Sequence, residues 1–366
     1  MDSFAFIIHP INPKRDAMRK FPRLARWFTP RQIDFLSAFF PPLYISEITG
    51  VRSQATGKEI HGWFVACPFT PTRMLELPES WVYSRIIKTG RLAERLGAQI
   101  VGLGAFTSVV GDAGVTIARA LDAPVTTGDA YTVATAVQAV QEAARQMEIR
   151  LEEATAAVVG ATGAIGRVCA ELLAGEVGEL ILIGRRPEAL EQARAEIQAA
   201  GCRARLEVST DINAISRAQV ILTVTSAVHA LVHPDQIRPG SVICDVARPR
   251  DVSAQVAAAR PDVLVIDGGM VDVPGDVDFH FDFGLPPGKA YACMAETMAL
   301  ALEGRFEDYT LGRAFSRQHV EEIAGIAARH GFRLGGFRSF DRPVTAGMIE
   351  QVRERARPRA FVSVPN

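Results

Sequence analysis

The spacing of apolar residues changes character about 150 residues into the chain. Before that point, short apolar runs typical of strands alternate irregularly with segments of helical periodicity, and two strands are joined by a turn at Thr56-Gly57-Lys58. The predicted strands are 4–8, 44–51, 59–66 and 98–103, and the predicted helices are 79–97, 112–121 and 130–147. We therefore expect a mixed α/β domain at residues 1–150.

From residue 155 onward, strands and helices alternate strictly. The predicted strands are 156–159, 179–183, 203–208, 219–225, 241–246 and 263–266. This alternation predicts a doubly wound parallel sheet, and hence a Rossmann domain, at 151–285. Helical periodicity then dominates 289–330, and we expect a C-terminal helical segment at 286–366. A further helix is predicted near 346–355, and the tail 333–366 receives no assigned role.

A glycine-rich turn follows the first strand of the alternating region. Its glycines, Gly160, Gly163 and Gly166, are spaced G-x-x-G-x-x-G. Such a turn brings backbone N–H groups and a helix N-terminus towards a pyrophosphate, although similar turns also join strands to helices for packing reasons. Within an alternating α/β region the spacing favours a dinucleotide site. We expect this site to include Gly160, Thr162, Gly163, Ala164, Ile165 and Gly166.

The next strand indicates which dinucleotide is bound. An acidic residue at its end would favour NAD, but the strand runs into Gly184-Arg185-Arg186. Two arginines favour a 2′-phosphate and therefore NADPH, the alternative being an ordinary surface pair. Thr225 and Ser226 end a later strand, where we expect cofactor contacts unless they simply form a polar strand end.

Composition excludes several classes of function. The net charge of -1 gives no general signal for nucleic-acid binding, and no apolar run is long enough to span a membrane. The first residues lack the basic region of a secretory signal, so we expect a cytoplasmic protein. The five cysteines form no C-x-x-C pair. We expect free thiols and no metal site.

One segment near the N-terminus is unusually basic and aromatic. Residues 14–31 contain seven basic residues and one acid, and aromatic side chains continue to Phe40. A solvated basic face on helices with core aromatics is one interpretation. The other is a docking surface at 14–40 for an acidic partner or an anionic membrane.

Cys293 is the cysteine whose sequence context suggests chemistry. It follows Pro286-Pro287-Gly288, so a helix must begin near Lys289 or Ala290 and carry the thiol in its first turns. The helix N-terminus and the Lys289 cation are both expected to favour the thiolate. A structural role as a small buried residue remains the alternative. His280 is a candidate acid–base or pocket residue, with a structural histidine as its alternative.

Several separated blocks resemble the cyanobacterial-type long-chain fatty acyl-[acyl-carrier-protein] reductases, which form aldehydes for alkane biosynthesis. The blocks occur in the family's order and are 53–62, 102–108, 126–128, 158–166, 267–271, 292–296 and 329–332. The pairing of Leu-Gly-x-Phe-Thr-Ser with Ala-Cys-x-Ala-Glu is the most specific part. The stretch 272–288 and the tail after Phe332 depart from the family pattern.

This resemblance implies NADPH-dependent reduction of a long-chain acyl thioester to a fatty aldehyde, with Cys293 carrying the acyl group. The segments around 104–108 and 126–129 would face the acyl chain. The expected substrate residues are Phe106, Thr107, Ser108, Thr127, Gly128 and His280. An acyl-carrier protein or acyl-CoA would deliver the substrate, and an aldehyde-consuming enzyme would be a partner.

Two other functions are compatible with the residues. An NADP-dependent dehydrogenase of a small hydroxy or amino acid would need no nucleophilic cysteine and would use a lysine–aspartate pair. A non-enzymatic NADP-binding sensor would bind cofactor without turnover and would be indifferent to the loss of Cys293.

Overall fold

The computed structural model describes residues 1–227 and 229–357. Its strands are β1 (Ser3–Ile8), β2 (Leu43–Arg52), β3 (Glu59–Ala66), β4 (Val101–Leu103), β5 (Val125–Thr126), β6 (Thr155–Val159), β7 (Glu179–Ile183), β8 (Arg205–Ser209), β9 (Val220–Thr223), β10 (Val242–Asp245), β11 (Leu264–Asp267), β12 (Met270–Asp272), β13 (Lys289–Tyr291), β14 (Arg333–Leu334), β15 (Phe337–Ser339) and β16 (Arg342–Val344).

The α-helices are α1 (Pro13–Lys20), α2 (Pro22–Ala25), α3 (Pro30–Ser37), α4 (Pro71–Glu76), α5 (Glu79–Leu96), α6 (Phe106–Val109), α7 (Val115–Ala120), α8 (Asp129–Gln146), α9 (Ala164–Ala174), α10 (Pro187–Ala199), α11 (Ala254–Ala259), α12 (Ala292–Glu303), α13 (Arg317–His330) and α14 (Ala346–Ala356).

The chain divides into two compact units. Unit 1 comprises Met1–Thr135 and Gly269–Gly336, and unit 2 comprises Ala136–Gly268 with the residues from Phe337 onward. The sequence placed boundaries at 150 and 285 and a separate segment at 286–366. In the structure, residues 269–336 return to unit 1, because α12 packs on β1, β3 and β4 of its sheet.

Unit 1 contains a five-stranded sheet in the order β2-β3-β1-β4-β5. β1 pairs in parallel with both β3 and β4, and β2 is an antiparallel edge strand. Five of the six residues of β1 are buried, as expected for a central strand with packed faces. The sheet therefore has β1 at its centre.

Alternate residues of β1 face opposite sides of this sheet. Ala5 and Ile7 belong to a buried cluster that includes side chains of α5. Phe6 lies against Gly102 of β4 on the side of α12, where a Cβ on Gly102 would be 2.1 Å from the Oγ1 atom of Thr297. The absence of a side chain at this position lets α12 approach the sheet.

Unit 2 contains a six-stranded sheet whose order is β11-β10-β9-β6-β7-β8. Every neighbouring pair is parallel. Numbered from its first strand, this is the 3-2-1-4-5-6 order of a Rossmann domain. The predicted α/β fold class with a doubly wound parallel sheet is confirmed.

Several local predictions need correction. Helix α12 begins at Ala292 rather than near Lys289, because Lys289–Tyr291 pairs with β12 as a strand. Residues 304–316 are not helical, so 289–330 holds two helices separated by a loop. The two-residue strand β5 is too short to produce a periodic signal. No helix in the described part of the chain is long and apolar enough to cross a membrane.

Filling the space at Gly102 should destabilise the protein. A methyl group there would overlap Thr297 and Phe6, so we expect Gly102→Ala to lower the free energy of unfolding by about 1–3 kcal/mol in urea denaturation. The control is Gly347→Ala in α14, where nothing lies within 4 Å of the added carbon. Equal stabilities of the two variants would contradict this packing.

Candidate functional site

The glycine loop joins β6 to α9, between the strands where the sheet order of unit 2 reverses. Gly160 has φ +90°, a conformation that L side chains rarely adopt, and a Cβ there would lie 2.5 Å from the carbonyl oxygen of Val224. A Cβ on Gly166 would lie 2.2 Å from the Gly160 oxygen. The loop therefore packs directly against the end of β9, and α9 packs directly against the loop.

The loop fits the phosphates of a dinucleotide. Gly163 is exposed and precedes α9 without a side-chain cap hydrogen bond. The first N–H groups of an α-helix have no partner within the helix, which makes them donors for a phosphate. Among the described residues, one atom lies within 4 Å of a Cβ built on Gly163, the Gly160 oxygen at 3.3 Å. Thr162, Ala164 and Ile165 are half-buried beside it.

The remaining predicted cofactor residues surround the same end of the sheet. Arg185 and Arg186 are exposed directly after β7, and Arg186 precedes α10. Thr225 follows β9, donates its backbone N–H to Asp251 at 2.9 Å and also donates its hydroxyl to that carboxyl group. Burial raises the pKa of Asp251 to about 6. Ser226 is exposed beside Thr225.

Cys293 lies in the first turn of α12, as the sequence predicted. Tyr291 is the residue before the helix, and the thiol is half-buried. The turn between β5 and α8 packs onto it. Gly128 in this turn has φ +78°, and a Cβ there would lie 2.3 Å from both Cα and Cβ of Cys293. Only glycine allows so close an approach.

A second turn, between β4 and α6, also reaches the thiol. Ala105 has φ +46° and ψ -118°, an unusual backbone conformation for a residue with a side chain. The backbone of Ala105 lies close enough to the Cys293 sulfur to act on the thiol, whose pKa it lowers. Strained backbone of this kind is commonly found at functional sites. Both segments expected to face the acyl chain therefore meet at Cys293.

The predicted substrate residues in these turns are buried. Thr107 donates its hydroxyl to the Gly104 carbonyl oxygen at 2.8 Å, and Ser108 donates its hydroxyl to the Ala105 oxygen at 2.7 Å. Thr127 donates to the Thr310 carbonyl oxygen at 2.5 Å. These hydroxyl groups hold the turns in place. Phe106 is 4% exposed.

His9 fixes the turn that contains Ala105. Its Nε2 accepts the N–H of Phe106 at 2.9 Å, so the ring proton is assigned to Nδ1, which lies 3.3 Å from the Pro10 oxygen. Burial lowers the pKa of His9 to about 4, and the ring is therefore neutral at neutral pH. No sequence pattern identified this residue.

Two buried carboxyl groups adjoin Cys293. Glu296 is one helical turn further along α12 and is fully buried. It accepts the Thr126 hydroxyl at 2.5 Å, the Thr310 hydroxyl at 2.8 Å and the Tyr131 N–H at 2.8 Å. Asp129, the first residue of α8, is 7% exposed. Burial, and then the charge of Glu296, raises its pKa well above the ordinary value.

The electrostatics at Cys293 are opposite to the expectation. Burial, followed by the charges of Asp129 and Glu296, raises the pKa of the Cys293 thiol to about 12, although backbone hydrogen bonds from Met294 and Ala105 oppose the rise. The expected Lys289 cation is paired with Asp272 across β12 and β13. The thiol form is therefore favoured in this state, and the predicted thiolate needs a correction.

His280 lies in a different environment. It is exposed, has φ +47°, and contacts Thr49 at 3.1 Å and Asp278 at 3.3 Å. Thr49 and Asp278 also form a backbone bridge. In the described structure, the contacts of His280 hold its loop against β2.

The sequence contains one signal that could have identified Glu296 as a neighbour of Cys293. Glu296 belongs to the Ala-Cys-x-Ala-Glu block and stands three residues after Cys293, which places both side chains on one face of a helix. Asp129 entered the sequence analysis only as the end of the segment 126–129 that was expected to face the acyl chain. Its proximity to Cys293 depends on tertiary packing, because the whole of Ala136–Gly268 in unit 2 separates the two residues along the chain.

Known proteins resemble this chain in sequence. The family model Shikimate / quinate 5-dehydrogenase matches residues 141–267, which cover the parallel sheet of unit 2. Aminotransferase PigE of Serratia sp. is 31% identical over 283 residues, or 76% of this chain and 33% of PigE. The chain thus spans about a third of that relative.

A second curated relative is matched over most of its length. Long-chain acyl-[acyl-carrier-protein] reductase of Synechococcus elongatus is 30% identical over 308 residues, 80% of this chain and 87% of that protein. Among solved structures, shikimate 5-dehydrogenase from Listeria monocytogenes aligns with 89% of this chain and 96% of its own chain, at 11% identity and a TM-score of 0.37.

The raised pKa of Asp129 predicts a pH-dependent cost to stability. The folded protein holds this proton to a higher pH than the unfolded chain does, so stability falls as pH rises from the ordinary carboxyl pKa through the raised one. Asp129→Asn removes the cost. In urea denaturation we expect it to be more stable than the wild type at about pH 8, with a smaller difference near about pH 4.

The matched control for this measurement is Asp122→Asn, which changes an exposed carboxylate in the same unit. It should leave stability almost unchanged at both pH values. A destabilised Asp129→Asn protein at about pH 8 would show that the ionised carboxylate is favoured in the fold, contrary to the geometry.

Proposed function

The chain belongs to the family of NAD(P)-dependent oxidoreductases that includes the long-chain acyl-[acyl-carrier-protein] reductase of Synechococcus elongatus, and from this premise we propose that it reduces long-chain acyl thioesters to aldehydes with NADPH. The observation that carries the proposal is the surroundings of Cys293. A half-buried thiol in the first turn of a helix is enclosed by two turns and two buried carboxyl groups, Asp129 and Glu296.

Cys293 acts as the nucleophile. Its sulfur forms a bond with the thioester carbonyl carbon, and the bond from that carbon to the carrier sulfur breaks. The carrier leaves as a thiolate, which takes up a proton to become the free thiol. The backbone at Met294 and Ala105 favours the thiolate form of Cys293, and the first-turn N–H groups of α12 stabilise negative charge on the carbonyl oxygen.

Asp129 receives the proton that Cys293 must lose. An isolated thiolate beside two carboxylates is disfavoured, as the raised pKa of the thiol indicates. Transfer of the proton to Asp129 leaves the total charge of the cluster unchanged. Because burial and Glu296 raise the pKa of Asp129, this carboxylate is a stronger base than an exposed one. Asp129 thus fills the acid–base role for which the sequence suggested His280.

The cofactor is held by residues of unit 2. The loop containing Gly160, Gly163 and Gly166 would hold the pyrophosphate, and Arg185 and Arg186 would hold the 2′-phosphate that distinguishes NADPH. The bound cofactor would supply the hydride that reduces the acyl carbon carried by Cys293. The chain then releases the aldehyde as the bond to sulfur breaks, and Asp129 returns the proton to Cys293.

The proposal also includes the molecule that carries the acyl group and the enzyme that uses the aldehyde. An acyl-carrier protein or acyl-CoA presents the long-chain thioester, and a partner enzyme consumes the aldehyde. These assignments follow the related reductase, whose name specifies an acyl-carrier-protein substrate.

Removal of the Cys293 thiol should abolish aldehyde formation. With no nucleophile to hold the acyl group, Cys293→Ala should form no detectable aldehyde from palmitoyl thioester and NADPH, measured by gas chromatography. Intact-mass analysis of the wild type without NADPH should show one acyl adduct that the variant lacks. Cys202→Ala, which removes a half-buried thiol of unit 2, is the control and should remain active.

Aldehyde formation by Cys293→Ala would rule out the covalent route. An active variant that oxidises a small hydroxy acid would indicate the dehydrogenase alternative, in which a pair such as Lys289 and Asp272 handles the proton. NADPH binding without turnover of any thioester by the wild type would indicate a sensor.

Loss of the two arginines should change cofactor preference. We expect Arg185→Ser/Arg186→Ser to raise the KM for NADPH roughly tenfold to a hundredfold, because charged hydrogen bonds to the 2′-phosphate are lost, and to leave the KM for NADH nearly unchanged. Steady-state kinetics with each cofactor measures this. Arg203→Ser is an exposed control in the same unit, and equal effects on both cofactors would contradict the assignment.

A further inference from the structure

We propose that residues 11–44, here called the docking segment, bind the surface of an anionic lipid membrane. The docking segment contains helices α1, α2 and α3 and the start of β2. It combines exposed aromatic side chains with a strong excess of positive charge.

The aromatic side chains of the docking segment lie largely in water. Trp27 is 86% exposed, Phe39 is 71% exposed and Phe35 is 55% exposed. The rings of Phe35 and Phe39 are 5.5 Å apart, so two of these exposed groups are adjacent. Clusters of large exposed apolar groups in a protein that buries most of its apolar residues mark interaction surfaces. The sequence-based alternative, in which these aromatics are core residues, does not hold for them.

Polar contacts rather than apolar burial hold these helices in place. α1 has no buried residue, and α3 buries only Ser37. Lys14 donates to the carbonyl oxygen of Phe28 at 2.6 Å, and Lys20 donates to the carbonyl oxygen of Ile45 at 2.5 Å. Asp34 of α3 forms an ion pair with Arg73 at 3.0 Å. The segment is thus anchored by polar contacts while Trp27, Phe35 and Phe39 stay exposed.

The charge of the docking segment identifies the type of surface it fits. Residues 14–31 carry seven basic residues and one acidic residue, whereas the whole chain has a net charge of -1. Arg23, Arg26 and Arg31 are exposed on either side of Trp27 along the chain. Anionic headgroups attract such cations, and each contributes about 1 kcal/mol near the membrane surface.

The aromatic residues favour a membrane over an acidic protein as the occupant. Phe35 lies on α3, and Trp27 and Phe39 lie in the turns that follow α2 and α3. Aromatic residues combined with basic residues on and beside short helices are typical of segments that lie in the membrane interface. The amphipathic indole ring partitions to the headgroup level. An acidic protein would account for the arginines but not for three aromatic rings that are more than half exposed. If the proposed function is correct, the membrane would also take up the long-chain aldehyde.

Vesicle flotation with the full chain and no substrate tests the docking segment. We expect binding to vesicles that contain phosphatidylglycerol and much weaker binding to vesicles of phosphatidylcholine alone. Arg23→Gln/Arg26→Gln should reduce affinity for the anionic vesicles roughly 30-fold, from the loss of two attractive cations at about 1 kcal/mol each. Arg91→Gln/Arg95→Gln, on the exposed face of α5, is the control for charge and should bind as the wild type does.

A second pair of variants tests the aromatic residues. Trp27→Ala/Phe39→Ala should lose most of the binding, whereas Leu75→Ala/Trp81→Ala removes exposed apolar groups outside the docking segment and should keep it. Urea denaturation checks that all variants are folded. Wild-type protein that stays with the soluble fraction, or equal losses for both pairs, would overturn the proposal. Since no thioester is present, this result is independent of the reductase activity.

Discussion

The buried carboxylate of Glu296 organises the candidate catalytic site. Burial of a carboxylate without partners is strongly unfavourable, so its hydrogen bonds must be satisfied in the folded state. Donors from Thr126, Tyr131 and Thr310 supply them and at the same time tie the turn between β5 and α8 to α12. Gly128 lies in the middle of that turn and is thereby held against Cys293.

The same arrangement sets the electrostatics of Cys293 and Asp129. Burial and neighbouring carboxyl groups raise the pKa of the Cys293 thiol and the pKa of Asp129, so that Asp129 in its carboxylate form is a stronger base than an exposed carboxylate. A cluster of this kind resists the formation of additional negative charge. In the proposed mechanism, chemistry at the sulfur is coupled to protonation of Asp129, which links catalysis to the stability cost of buried acids.

Unit 2 obtains its cofactor site from strand order rather than from any single residue. Reversal of the order between β6 and β9 leaves room at their carboxyl ends, and the glycine loop and Thr225 both lie there. The contacts of Gly160 and Gly166 show why side chains are excluded from the loop. The glycines fit the binding of a dinucleotide, while the proposed preference for NADPH rests on Arg185 and Arg186, outside the loop.

Local patterns in the sequence determined the doubly wound sheet, the glycine loop and the position of Cys293 in the first turn of a helix. These features depend on interactions between residues that are close along the chain. Local signals therefore predicted them: apolar periodicity for the sheet, glycine spacing for the loop and the Pro-Pro-Gly segment for the start of the helix. The return of residues 269–336 to unit 1, the contact between Gly128 and Cys293, and the association of Asp129 with Glu296 were decided by tertiary structure. They join residues more than 130 positions apart. Tertiary structure also decided the pKa of Cys293. Burial and the charges that packing brings near set this pKa, whereas Lys289, which is close in the sequence, does not.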